Sequence, residues 1–196
     1  MKKTILSLFI ASMALISCER DITTLNDDTK NPATVNPEFT FASAELGLVT
    51  QMTSPSVNIN IFRFFTQQWS ETQYTDESVY NLPKRRVPDN HWNILYAQLL
   101  KLEQVKAATN TIADASLKAS RIATIEALEI YTYSILVDSY GDVPYSQSIK
   151  VDQYPNPAYD DGKAIYVDLI KRADAALALL ASTSAGGFGT SDAIFG

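Results

Sequence analysis

The sequence predicts an all-α protein, built as stacked helical hairpins with long irregular loops between them. Three observations lead there. Apolar residues recur three and four positions apart through five segments between Glu38 and Leu180, the spacing that lines one face of a helix. Helix-stopping residues fall just past segment ends, at Pro55 and at Gly141 with Pro144. No stretch between Glu38 and Leu180 needs a sheet to explain its pattern.

At the N-terminus, Lys2 and Lys3 precede the apolar run TILSLFIASMALI, which has the length of a signal-peptide core and is too short to span a bilayer. The run ends at Ser17 and Cys18, the single cysteine of the chain. A positive start, an apolar core and a small residue before cysteine together resemble the bacterial lipobox. That resemblance implies cleavage before Cys18, diacylation of its thiol and acylation of the new N-terminus. Residues 1–17 are expected to be a lipoprotein signal peptide, and residues 18–37 a lipidated tether or extended arm. Each buried methylene contributes about 0.8 kcal/mol, so one acyl chain binds a membrane marginally while two or three hold firmly. Within the arm, LNDDTKNPATVNP lacks the Gly and distal Glu of a calcium loop. Its Asn, Asp and Pro residues predict turns.

Phe41, Ala44, Leu48 and Met52 predict a helix over 38–52, and Pro55 ends it. Ile61, Phe62, Phe65 and Trp69 predict a second over 57–71. The stretch TQYTDESVYNLPKRRVPDN then has two prolines and few apolar residues, the mark of a long irregular connection. Trp92, Leu95, Tyr96, Leu99 and Leu102 predict a helix over 90–109. The next, over 120–140, ends in IYTYSILVDSY, which is apolar on almost every side and marks this helix as central. The last runs over 161–180 with Ile165, Leu169, Ala173, Leu177 and Leu180 in one stripe. Gly186, Gly187 and Gly189 follow in a Ser/Gly/Thr-rich segment that predicts a flexible linker. The spacing of WNILYAQL partly matches the start of a tetratricopeptide repeat, and an ordinary helical bundle explains the same periodicity.

Composition narrows the function classes. Removal of residues 1–17 leaves fourteen basic residues against twenty-two acidic ones, a net charge of −8. That balance argues against nucleic acid as a partner and against a polybasic grip on anionic lipid. No cysteine remains downstream of Cys18, so packing rather than disulfides must hold the domain.

The lipobox, WNILYAQLLKL, YSILVDSYGDVPYSQS and YPNPAYDDGKAIYVDLIKRADAALALL follow one another in an order that resembles the SusD/RagB family of nutrient-binding outer-membrane lipoproteins of Bacteroidetes. The YGDVPYS element is the most specific piece. The resemblance implies a helical domain over 38–196 with tetratricopeptide-like helix pairs. It also implies a lipid anchor in the outer membrane, exposure at the cell exterior, and a place as lid on a SusC-like, TonB-dependent β-barrel transporter. The implied role is capture of oligosaccharides, or peptides, for delivery to that barrel, without catalysis. The acidic ERD after Cys18 is similar to export signals of surface lipoproteins in that group. Family members continue well beyond the TSDAIFG at which this chain stops, so a C-terminally truncated domain is expected.

Glycans bind aromatic faces assisted by amide, carboxylate and guanidinium hydrogen bonds. The irregular connection supplies Tyr74, Tyr80, Arg85 and Arg86, with Trp69 and Trp92 at its flanks. These are the candidate ligand residues, although both tryptophans also lie on helical apolar stripes where core packing is the simpler expectation. The tyrosines of YGDVPYS and YPNPAY are expected to pack the helix–loop junction, with Asp142 bonding nearby backbone amides. His91, the single histidine, is expected to cap or pack rather than act as a general base. Glu126 and Glu129 share a helix face without a histidine at di-metal spacing, which favours a solvated or ion-paired surface role. No nucleophile or phosphate-loop motif occurs, so no catalytic residue, metal or cofactor is expected. A lipid-anchored helical scaffold that serves protein contact alone is the alternative function.

Overall fold

The computed structural model describes residues 36–56, 59–84, 86–183 and 185–194. The signal segment, Cys18, residues 18–35 of the arm and Arg85 lie outside the described residues. Among the described residues there are five α-helices: α1 (Pro37–Thr53), α2 (Phe62–Phe65), α3 (Val87–Thr109), α4 (Ala115–Tyr140) and α5 (Gly162–Ala181). Short 3₁₀ turns occur at Leu82–Lys84 and Gly189–Ser191. The fold is all-α: among the described residues the single β feature is an isolated antiparallel bridge between Val143 and Asp160.

Local chemistry starts and stops these helices. Asn36 accepts the Glu38 N–H at 2.8 Å, and Pro37 stands in the first turn of α1, where its missing N–H costs nothing. Asp114 caps α4 through the Ser116 and Leu117 N–H groups, and Asp161 caps α5 through that of Ala164. Gly141 closes α4 at φ 78°, with its N–H on the Val137 carbonyl, a conformation that glycine adopts without a Cβ penalty.

α1 packs on α3, α3 on α4 and α4 on α5, so two helix pairs meet through α3 and α4. The shared core holds Phe41, Leu48, Leu95, Leu102, Ile125, Leu136, Ile165 and Leu169, all nearly fully buried. Truncating one such Leu or Ile to Ala costs about 2–5 kcal/mol.

Three expectations are corrected. The predicted helix over 57–71 shrinks to the four residues of α2. Its aromatics are wanted in different directions: Phe64 is buried, Phe62 meets His91 and Phe65 stacks on Tyr80. One helical stripe cannot serve all three, and the chain leaves helix at Gln67 with φ 56°. In α5 the buried set is Ile165, Leu169 and Ala176, while Leu177 and Leu180 point to solvent. Twelve residues separate Ile165 from Leu177, about a third of a turn off the same face.

The third correction concerns the linker expected after α5, whose described residues dock against α1. Phe188 is 5% exposed and stacks on Phe41 with centroids 3.8 Å apart. Arg121 covers the other side at 4.9 Å, donates to the Gly187 carbonyl and pairs with Glu38 at 2.6 Å. Farther on, the Ala193 N–H donates to Glu45 at 2.8 Å.

Burial pushes the Glu45 carboxyl up to about 7, with Asp192 adding to the rise and the Ala193 hydrogen bond opposing it. A carboxyl raised in the folded state supports docking fully below its ordinary pKa and loses that support as pH rises through the folded value. Protection of the Ala193 amide against hydrogen exchange, corrected for intrinsic rate, should therefore fall between about pH 5 and about pH 8. Glu45→Gln should remove that pH dependence, and equal wild-type protection across the range would refute the coupling.

Candidate functional site

The aromatic residues of three elements converge where α3 begins and α4 ends. Arg86 precedes α3 in the left-handed region at φ 53° and directs its Nε to Asp89 at 2.8 Å. One turn later, Trp92 leaves the core edge half-buried. Its ring meets Tyr96 at 4.8 Å, Tyr140 edge-on at 5.0 Å and Tyr159 nearly parallel at 6.1 Å. Tyr159 is 66% exposed. The Trp92–Tyr159 pair separates two concavities of about 370 and 380 Å³. Arg86, Asp89, Asn93 and Tyr140 line the first, and Tyr96, Asn156 and the three prolines 144, 155 and 157 contribute to the second.

Tyr159 is held there by the loop between α4 and α5. The Asp160 carboxylate accepts the Tyr145 and Ser146 N–H groups at 2.9 and 2.8 Å and the Ser146 hydroxyl at 2.8 Å. Partial burial pulls its pKa upward, and the bonds from Ser146 and Tyr145 outweigh that, leaving it below the ordinary aspartate value. The Gln147 side chain accepts the Ala158 N–H, and Tyr96 donates to the Pro144 carbonyl at 2.7 Å. Asp142 accepts the Gly162 N–H at 2.9 Å, the amide-bonding role expected of it. Tyr140 donates to the Pro88 carbonyl at 2.6 Å, and burial holds its pKa up at about 12. The cleft thus offers neutral phenols, amides, one guanidinium and one carboxylate around aromatic faces.

The predicted ligand residues do not all meet. Trp92 and Arg86 stand in this cleft, whereas Trp69 and Tyr80 gather about α2. Trp69 is 46% exposed, edge-on to Phe64 and covered by Arg63 at 4.7 Å, which overturns the core-packing expectation for it. Tyr80 is 56% exposed, stacks on Phe65 at 5.2 Å and donates to the Phe65 carbonyl. Tyr74 is 77% exposed in the same irregular connection. Tyr159 was expected to pack a junction and instead presents its ring at the surface. In YPNPAY, Pro155 and Pro157 precede Tyr159 and keep the segment out of helix, but that pattern does not say which way the ring faces.

Glu126 and Glu129 are ion-paired as one expectation had it, but Glu129 is buried rather than at the surface. Both carboxylates bond Arg172 and Lys106, and the polar cavity of about 340 Å³ beside them is lined by Lys106, Glu129 and Arg172 of this cluster together with Glu103, Lys150 and Asp168. Among the described residues no cluster of three or more His, Cys, Asp or Glu side chains is arranged to hold a metal ion. Among them also, no helix is long and apolar enough to cross a membrane.

Comparison with known proteins gives one match. The sequence model of the SusD-like family, described as starch-binding and associating with the outer membrane, matches residues 29–196. Searches of curated proteins and of solved structures returned no match.

The geometry makes Asp160 the clasp of the cleft. Asp160→Asn replaces an acceptor oxygen with a donor and should speed hydrogen exchange at the Tyr145 and Ser146 amides about tenfold or more. Acid should do the same to the wild type: the anchoring is complete above the ordinary aspartate range and is lost as pH falls through the lowered Asp160 value. Unchanged exchange in the variant would show that the bridge and the prolines hold the loop unaided.

Proposed function

The chain belongs to the SusD-like family, and from that premise we propose that it is a surface-exposed outer-membrane lipoprotein that captures oligosaccharides. In this reading it passes them, or peptides, to a SusC-like TonB-dependent transporter, and it performs no catalysis. Residues 1–17 act as signal peptide, Cys18 carries the lipid, residues 18–37 form the arm and residues 38–196 the helical binding portion.

The observation that carries the proposal is the Trp92–Tyr159 pair between two concavities. A pyranose presents C–H groups on its faces and hydroxyls around its rim. Stacked aromatic rings cover the former, while Arg86, Asp89 and Asn93 reach the latter. The site is shallow and half-exposed, which suits a chain that must be picked up and released rather than enclosed. Trp69, Tyr74, Tyr80 and Arg85 are retained as a second, outlying set of contacts on the irregular connection.

A separate observation favours protein contact as well. α5 exposes Val167, Ile170 and Leu177 on its outer face, with Leu180 exposed near its end, and a helix apolar on both sides commonly meets a partner. That surface supports a transporter partner, and it is also what the scaffold alternative would use.

Titration of malto- and other neutral oligosaccharides into the protein should give saturable binding, weakened about tenfold by Trp92→Ala and by Tyr159→Ala. Absence of binding to every glycan and peptide tried would leave the scaffold reading. In the native host, mild-detergent extraction should recover the acylated protein with a large β-barrel, and Cys18→Ala should release it from the membrane fraction.

A further inference from the structure

Beside the aromatic cleft lies a smaller cavity of about 90 Å³, walled by Ile61, Phe62, Phe65 and Leu82 and sharing Pro88 and Tyr140 with the cleft. Its wall is almost wholly apolar except for His91, and exposed Ser139 stands at its edge. His91 is 6% exposed and its Nε2 has no hydrogen-bond partner.

The protonation of that ring follows from its neighbours. Gln51 Nε2 lies 2.8 Å from the Ile59 carbonyl and 2.6 Å from His91 Nδ1. Turning the amide round would set its oxygen against the Ile59 carbonyl, two acceptors facing each other, so both amide hydrogens are committed as they stand. This leaves Gln51 Oε1 unpaired. Nδ1 must then accept, and the proton of the neutral imidazole sits on Nε2. Burial lowers the His91 pKa, which keeps the ring neutral near pH 7. The cavity therefore presents one N–H donor, buried and unmatched, within an apolar wall.

We propose that this cavity is a specificity subsite for the acetamido group of an N-acetylated sugar, whose carbonyl oxygen accepts from His91 Nε2–H. The inference rests on the glycan-binding reading of the adjoining cleft and deepens it. A bare sugar ring would bury several hydroxyls against carbon, each unpaired at a cost. An acetamido group carries one methyl for the phenylalanine and isoleucine wall, one acceptor for the one donor, and an N–H that the Ser139 hydroxyl can accept at the edge. A water needs about 10–15 Å³ by the same measure, so the cavity has room for a group of several heavy atoms. Reach is also satisfied: the Tyr140 ring lies 5.0 Å from Trp92 and 6.2 Å from His91, so adjacent units of one glycan span both sites.

His91 is the single histidine, so the imidazole signals of ¹⁵N-labelled, tag-free protein are unambiguous. They should report the Nε2–H tautomer and shift when the trimer of N-acetylglucosamine is added. The trimers of glucosamine and of glucose should leave them unmoved. By calorimetry the acetylated trimer should bind about tenfold tighter than either. His91→Phe, which keeps the ring and removes the donor, should erase that preference while Trp92-dependent binding of the glucose trimer persists. Equal affinity for the three trimers, or imidazole signals indifferent to all of them, would overturn the subsite alone. Loss of all glycan binding in the wild type would overturn the cleft reading with it.

Discussion

The arrangement depends on a partly buried ionic cluster at the junction of three helices, with Glu129 at its buried centre. Glu126 and Glu129 of α4 bond Lys106 of α3, the latter at 3.0 Å, and Arg172 of α5, the former at 2.7 Å. Burial governs Glu129 and raises its pKa despite both cations, whereas at Glu126 the same burial is outweighed by Lys106 and Arg172 and the pKa falls. Charges removed from water in this way contribute little net stability as a set. Removal of one member leaves its partners uncompensated, a loss of about 3–5 kcal/mol. The cluster consequently fixes how the helices meet more than how tightly they hold. A slip of α5 by one turn would separate Arg172 from both carboxylates, an error that apolar contacts alone would tolerate.

From this cluster the chain of support runs outward to the cleft. Arg172 also donates to the Tyr145 hydroxyl at 3.0 Å, and Tyr145 in turn bonds Asp168. Tyr133 meets Ser148 at 2.6 Å. The start of the α4–α5 loop is thereby fastened to the helices, and Asp160 fastens the end of the loop to its start. Tyr159, next to that clasp, owes its place against Trp92 to contacts that begin at Glu129. A loop of this length without secondary structure holds a defined ring position because both of its ends are tied to rigid elements.

The helices with a single apolar stripe were legible in the sequence: α1 and α3 begin and end close to where spacing places them, and α4 ends where Gly141 and Pro144 place it, although its start at Ala115, set by the Asp114 cap, lies five residues before the expected one. α2 was not, because periodicity counts apolar residues without knowing that Phe62, Phe64 and Phe65 have separate destinations. The tail was not, because Ser/Gly/Thr composition predicts a linker until a single Phe188 finds a stacking partner in Phe41, a contact between residues nearly 150 positions apart. At the site, Trp92 and Arg86 could be named from residue type and neighbourhood. Tyr159 and the open Nε2 of His91 could not, since one depends on a loop clasp and the other on an amide whose orientation is set by the Ile59 carbonyl. Pairwise polar geometry of that kind leaves no periodic trace.

The two surfaces that could meet partners are distinct in origin and in chemistry. The cleft is built from helix ends and a loop, and it mixes aromatic faces with amide and charged groups, as recognition of a polar, hydroxyl-rich molecule requires. The outer face of α5 is a regular helix surface of Val167, Ile170 and Leu177, suited to another protein and poorly suited to a sugar. Because the cleft residues come from α3, α4 and the loop, while the outer residues of α5 take no part in the cleft, occupation of one surface leaves the other available. Ligand capture and protein contact are therefore compatible in one molecule, although α5 and the α4–α5 loop are joined beneath both surfaces by the bond from Arg172 to the Tyr145 hydroxyl.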